Sequence, residues 1–208
     1  MAKWMWTGLP LTAALIAAPL IAAAPAALEP AVSTAVPQFR AFDMNGKIVN
    51  LSDFRGKTVV LEWNNPGCPY VKKHYGGNMQ KTQAAARAQG VVWLTVNSGA
   101  PGQQGHMTGP EALKFVAGAG AKPTAYLLDP QGLVGKGYGA KTTPHMYIID
   151  GAGKLAYKGA IDDKPSSNAA DIASARNHVL AALAEMRVGK PVSVTETRAY
   201  GCSVKYAS

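Results

Sequence analysis

Two cysteines, Cys68 and Cys202, carry most of the reactive potential of this 208-residue chain. Cys68 stands in the stretch Val59-Val60-Leu61-Glu62-Trp63-Asn64-Asn65-Pro66-Gly67-Cys68-Pro69-Tyr70-Val71. Val59 to Leu61 form a β-branched, apolar run that suits a strand covered on both faces, and Pro66-Gly67 is a turn signal that ends it. Pro69 fits the first position of a helix, where its missing N–H costs nothing, so Cys68 falls at or beside the N-cap. Free backbone N–H groups and the positive end of the helix dipole then face the sulfur. Such a position lowers a thiol pKa from about 8.5 into the range of roughly 3.5–7.5 and makes the thiolate a nucleophile toward disulfides or peroxide. Lys72, Lys73 and His74 follow at once and add positive charge. The alternative for Cys68 is the commonest fate of a lone cysteine, a small buried hydrophobe. Glu62, in the same strand, is desolvated if both faces are covered; its pKa then rises, as a proton relay requires. The alternative is a glutamate at the strand end that reaches solvent.

The elements that must position these groups follow in order. Phe39–Phe42 and Ile48–Leu51 bracket Asn45-Gly46, a hairpin signal. The central strand and Cys68 come next, then a helix from Tyr70 to Gln89 that Gly76-Gly77-Asn78 should kink or split. Val91–Val96 is a second buried strand and Asn97–Gly109 a loop. A short helix (Glu111–Ala117), a short strand (Ala125–Leu128) and a weak helix (Pro130–Tyr138) lead to Thr143-Pro144 and the strand Met146–Asp150. Asp150-Gly151 turns the chain into another strand through Lys158. Ile172, Ala175, Val179, Leu183 and Met186 recur at helical spacing and predict one long helix, Ala169–Arg187. Alternating strands and helices indicate an α/β layered domain with a central sheet.

Lys3, the apolar run Leu9–Ile21 and the small residues around Ala24 and Ala27 read as a secretory signal peptide over residues 1–27. The run is shorter than the about 20 residues that span a bilayer, and Pro10 and Pro19 interrupt it, so no stable membrane insertion is expected once it is removed. A linker (28–36), one domain (37–188) and a tail (189–208) remain. Removing Lys3 changes the formal net charge from +9 to +8. With no cluster of five or more Lys/Arg, nucleic acid is not the expected partner. The localisation implied is periplasmic or secreted, where a Cys68–Cys202 disulfide can persist. The cysteine spacing is unlike a zinc site and none of the four histidines forms an H-x-x-x-H pattern, so no metal and no cofactor is expected.

Residues Pro37 to Arg187 resemble the thioredoxin-like superfamily, specifically its redoxin or AhpC/TSA branch, through the strand–turn–Cys68–helix unit and through Thr143-Pro144 before a strand. The resemblance implies a thioredoxin-like fold: a central mixed β-sheet flanked by helices, with an N-terminal hairpin extension and a C-terminal tail. It implies that Thr143-Pro144 is a cis peptide packed against Cys68, that Glu62 is the buried acid serving the thiols, and that Asn65, Pro66, Gly67, Pro69, Thr143 and Pro144 line the substrate groove. Two departures matter. Val71 replaces the second cysteine of C-x-x-C, and Leu61 and Asn65 replace the proline and hydroxyl of the peroxiredoxin Pro-x-x-x-Thr/Ser-x-x-Cys pattern. Asn65 retains an amide able to donate a hydrogen bond. Cys202 is left as the resolving thiol; Gly201-Cys202-Ser203-Val204-Lys205 resembles the Gly-Cys-x-x-Lys ending of some redoxin-family proteins. The functions implied are an oxidoreductase, with a protein thiol or disulfide or a peroxide as its substrate, or a non-catalytic binding protein stapled by a structural disulfide.

Overall fold

The computed structural model describes Met1 and residues 29–207; the Leu9–Ile21 run and the cleavage sites lie outside the described residues. Strands β1 (Arg40–Asp43) and β2 (Ile48–Asn50) form the expected hairpin. The Asp43 carboxylate holds its turn by accepting the N–H groups of Asn45 and Lys47, both at 2.8 Å. A 3-10 turn (Leu51–Phe54) precedes β3 (Val59–Trp63), α1 (Pro69–Tyr75) and α2 (Asn78–Arg87). The split between the two helices falls at Gly76-Gly77, where Gly77 has φ 125°, as the sequence predicts. Then come β4 (Val92–Asn97), α3 (Gly109–Gly118), β5 (Ala125–Leu128), α4 (Leu133–Tyr138), β6 (Thr142–Thr143), β7 (His145–Ile149) and β8 (Leu155–Gly159). Helix α5 (His178–Arg187) and β9 (Cys202–Ser203) follow.

The main sheet runs β2-β1-β5-β4-β3-β7-β8 and is mixed: β3, β4 and β5 are parallel, and β7 is antiparallel to β3. Alternation along β3 splits the core. Val59, Leu61 and Trp63 pack with Leu94, Leu127, Tyr138 and Tyr147 on one face. Val60 faces Met79, Trp93, Ile148, Val179 and Leu183 on the other, which is also the face toward which Glu62 points.

The long helix expected over Ala169–Arg187 is two elements. A 3-10 stretch (Ala169–Ser174) ends at Ala175, whose φ −76° and ψ 135° are extended. Asn177 then caps α5 by accepting the Leu180 N–H at 2.9 Å. The break is enforced from outside: Asp163 accepts the Arg176 N–H and Ile161 the His178 N–H, each at 2.9 Å. The periodicity through Ile172 and Ala175 was accidental, whereas that of Val179 and Leu183 is the true buried face.

The free edge of β8 is covered twice. Residues 33–36, read as linker, run beside it, with Ser33 donating to the Leu155 carbonyl at 2.7 Å. Further along, Lys158 and Thr195–Thr197 exchange backbone bonds at 3.1 Å. Among the described residues no helix is long and apolar enough to cross a membrane.

Candidate active site

Cys68 is the N-cap of α1 with Pro69 in the first turn, as the sequence predicts. Its side chain is not open to solvent, being 1% exposed. What closes it is the tail. Strand β9 pairs antiparallel with β6, setting Cys202 opposite Thr143, and the Thr143 carbonyl lies 3.1 Å from the Cys68 sulfur. Thr143-Pro144 is cis, as expected. Gly201 has φ 136°, and a β-carbon there would collide with the Thr143 carbonyl, so only glycine lets the tail approach this closely.

Both cysteines are free thiols. Burial pushes the Cys68 thiol up, but it is outweighed by hydrogen bonds from the Cys202 thiol, from the Val71 and Cys202 N–H groups and from the Thr143 hydroxyl, which hold it below the ordinary cysteine value. The Thr143 carbonyl is the neighbour that favours the protonated form. Cys202 moves the opposite way, to about 11, through burial, its hydrogen bond to the Cys68 sulfur and the charge on that sulfur. Of the two thiols, Cys68 is therefore the one that ionises first. Removing the donor should show this: in Cys202→Ala the pH midpoint of Cys68 alkylation, followed by peptide mass, is expected to move up relative to the wild type. An unchanged or lower midpoint would contradict the assignment.

The expected cationic help is absent from these causes, and the reason is geometric. Lys73 and His74 are 4% and 0% exposed and turn away into the protein. The Lys73 ammonium lies 3.7 Å from Asp162 and donates to the Lys164 carbonyl at 2.9 Å. His74 meets the Tyr200 hydroxyl at 3.1 Å, and burial holds its imidazole down at about 4, so it is neutral. Asp162 and Tyr200 are the residues that sequence reasoning missed; the signal was two ionisable side chains, Lys73 and His74, at successive positions on a short helix.

Glu62 is completely buried. Five donors surround it: Tyr75 at 2.7 Å and Asn64 at 3.4 Å on Oε1, and Trp93, Gln83 and Thr95 at 2.8, 3.1 and 3.1 Å on Oε2. Desolvation still prevails and raises its pKa. Asn65 does not face an open site. Its Oδ1 accepts the Gly67 N–H at 2.9 Å and its amide donates to Gln104 Oε1 at 2.9 Å, so it ties the Pro66-Gly67 turn to the 97–109 loop. The same loop reaches the tail through the Ala100 N–H, which donates to the Lys205 carbonyl at 2.8 Å. Beyond Cys202, the Tyr206 hydroxyl donates to Ala140 at 2.7 Å, and its ring sits against Gly132 and Gly135.

A mixed sheet whose strand β3 ends in a cysteine N-cap, with a cis-proline loop alongside, defines a thioredoxin-like protein. Residues 32–158 match the AhpC/TSA family, to which this chain belongs. A hypothetical protein from Sinorhizobium meliloti is 24% identical and superposes with a TM-score of 0.73, covering 87% of this chain and 97% of that one. An uncharacterized conserved protein from Geobacillus kaustophilus is 26% identical, with a TM-score of 0.74 and coverage of 85% and 93%. A Chlorobium tepidum structure named as a thiol:disulfide interchange protein, DsbE, is 27% identical over 62% of this chain and 85% of that one, with a TM-score of 0.52. No curated protein matches the chain.

Proposed function

We propose that this chain is an exported thiol-disulfide oxidoreductase in which Cys68 is the nucleophile and Cys202 the resolving thiol. One observation carries the reading: the β6–β9 pairing sets Cys202 opposite Thr143, whose carbonyl lies 3.1 Å from the Cys68 sulfur. The similarity to a protein named as a thiol:disulfide interchange protein supports the reaction class. The basic start, Leu9–Ile21 and the small residues near Ala24 and Ala27 support export.

In the forward sense the Cys68 thiolate attacks one sulfur of a substrate disulfide, forming a mixed disulfide and expelling the other sulfur as thiolate. The charge on Cys68 is consumed in that step. Two of the causes that hold Cys202 at about 11, its bond to Cys68 and the Cys68 charge, vanish with it, while Lys205 continues to favour ionisation. Cys202 then loses its proton to solvent or to the departing thiolate and attacks the Cys68 sulfur. The second substrate thiolate leaves, and the Cys68–Cys202 disulfide remains. The substrate gains the two electrons that the cysteine pair loses, and a dithiol reductant returns them. Glu62, beneath the sheet end, is the proposed proton reservoir for these transfers. Pro66, Gly67, Pro69 and Pro144 shape the rim. A polypeptide substrate reaches Cys68 only when β9 lifts. Both amide hydrogens of Asn65 are directed at Gln104, so the reading assigns Asn65 no role toward peroxide.

The test is peptide mapping of the oxidised protein, followed by equilibration with glutathione. An intramolecular Cys68–Cys202 bond with a potential more oxidising than about −300 mV is expected, together with loss of insulin-disulfide reduction in Cys68→Ser and a trapped mixed disulfide in Cys202→Ser. A bond too reducing to exchange would make it a structural staple, and cysteines that stay free would end the proposal.

A further inference from the structure

A two-residue strand is too short to hold a tail by itself, so the position of Cys202 must be set by something else. Three side chains of α1, Tyr70, Lys73 and His74, occupy positions i, i+3 and i+4 and therefore share one face. All three converge on a single tail residue, Tyr200. The Tyr70 ring meets it edge-on at 5.8 Å, the Lys73 ammonium lies 5.6 Å over its face, and His74 Nε2 is 3.1 Å from its hydroxyl. That hydroxyl donates in turn to Asp162 Oδ1, which also accepts the Lys164 N–H at 3.0 Å.

The bonds have a direction. Asn78 Nδ2 lies 2.8 Å from His74 Nδ1, so as a donor it makes Nδ1 the acceptor and leaves the proton on Nε2. The Nε2–H then donates to the Tyr200 oxygen, freeing the phenolic hydrogen for Asp162. Each donor in this partly buried chain has an acceptor, an arrangement that fixes a side chain in one place. Only Gly201 separates Tyr200 from Cys202, so two residues of chain, at most about 7 Å, lie between the clamp and the sulfur-bearing residue.

We infer that Tyr200 is the positioning residue for Cys202: clamped between His74 of the Cys68 helix and Asp162 after β8, it registers the tail so that the Cys202 sulfur meets the Cys68 sulfur. The redox part of this inference rests on the reading of Cys202 as the resolving thiol; the clamp itself does not.

Tyr200→Phe keeps the ring and both ring contacts and deletes only the bridging hydroxyl. Two measurements follow on the full chain. In the reduced protein, hydrogen exchange of a peptide spanning 198–204 should accelerate by about tenfold or more; in glutathione buffers, the equilibrium constant for the Cys68–Cys202 disulfide should fall by about tenfold to a hundredfold, the range expected for losing a hydrogen bond to a charged group. Unchanged exchange overturns the clamp. A lowered melting temperature with an unchanged disulfide equilibrium makes Tyr200 a packing residue and overturns its positioning role. A wild-type protein that forms no Cys68–Cys202 bond would refute the redox reading instead, and the exchange rates alone would then decide the clamp.

Discussion

Asp162→Ala is expected to lower the unfolding free energy by about 3–5 kcal/mol, because it leaves a buried ammonium without its counter-charge. Lys73 and Asp162 have side-chain exposures of 0% and 1%. Their 3.7 Å separation is an ion contact and not a hydrogen bond, and Asp162 Oδ2 has no donor of its own. Water therefore offers the pair little screening, and the Lys164 carbonyl alone cannot offset the cost of desolvating Lys73. Urea unfolding at neutral pH measures the effect. The double variant Lys73→Met/Asp162→Leu should recover part of it, since it removes both charges but leaves the Tyr200 hydroxyl and the Lys164 N–H without their acceptor. A single-variant loss below about 1 kcal/mol, the size seen for exposed pairs, would mean that the cluster is hydrated.

That cluster also marks where sequence reading stopped. The strand, turn and N-cap around Cys68 were legible because the signals are local: a β-branched run, Pro66-Gly67 and a proline at the first helical position. The split at Gly76-Gly77 was legible for the same reason, and so were the hairpin glycines. Lys73 and His74 were read as solvent-facing charge because charged residues are seldom buried unless paired, and their partners are remote. Tyr200 lies 126 residues beyond His74. No periodicity spans such a distance. The break at Ala175 was hidden for a related reason, as the groups that stop the helix, Asp163 and Ile161, belong to a different segment. Asn65 was correctly placed in the turn, but its amide was taken as free when Gln104, in a loop of Gly, Gln and Ser with no pattern of its own, claims it. The resemblance to the AhpC/TSA branch supplied what local chemistry could not, the cis Thr143-Pro144 beside Cys68; the register of β6 with β9 and the close approach at Gly201 leave no local signal in the sequence.

Acidification should destabilise the protein between pH 6.5 and about 4. His74 and His145 are both buried and both held down at about 4, chiefly by desolvation of the charged form. For a histidine with a depressed folded pKa, the unfolded chain binds the proton first. Stability is thus fully present above the unfolded value near 6.5 and is lost as pH falls through the folded value. At about 1.4 kcal/mol per unit, two such imidazoles carry several kcal/mol between them, a large fraction of the roughly 5–15 kcal/mol that holds a domain together. Glu62 and Asp129 act in the other direction. Burial raises both carboxyls, so each contributes stability at low pH that is lost as pH rises through its folded value, which partly offsets the histidines where the windows overlap. Variants separate the terms. His145→Gln keeps an acceptor for the Lys141 N–H, 3.3 Å from the imidazole, and should flatten about half of the decline. Glu62→Gln should steepen it, because the opposing carboxyl is gone. Urea unfolding at half-unit steps from pH 4 to 7.5 reads all three curves. A Glu62→Gln stability that is flat or rises on acidification through this window, together with a His145→Gln curve parallel to the wild type, would show that burial does not hold the imidazoles down.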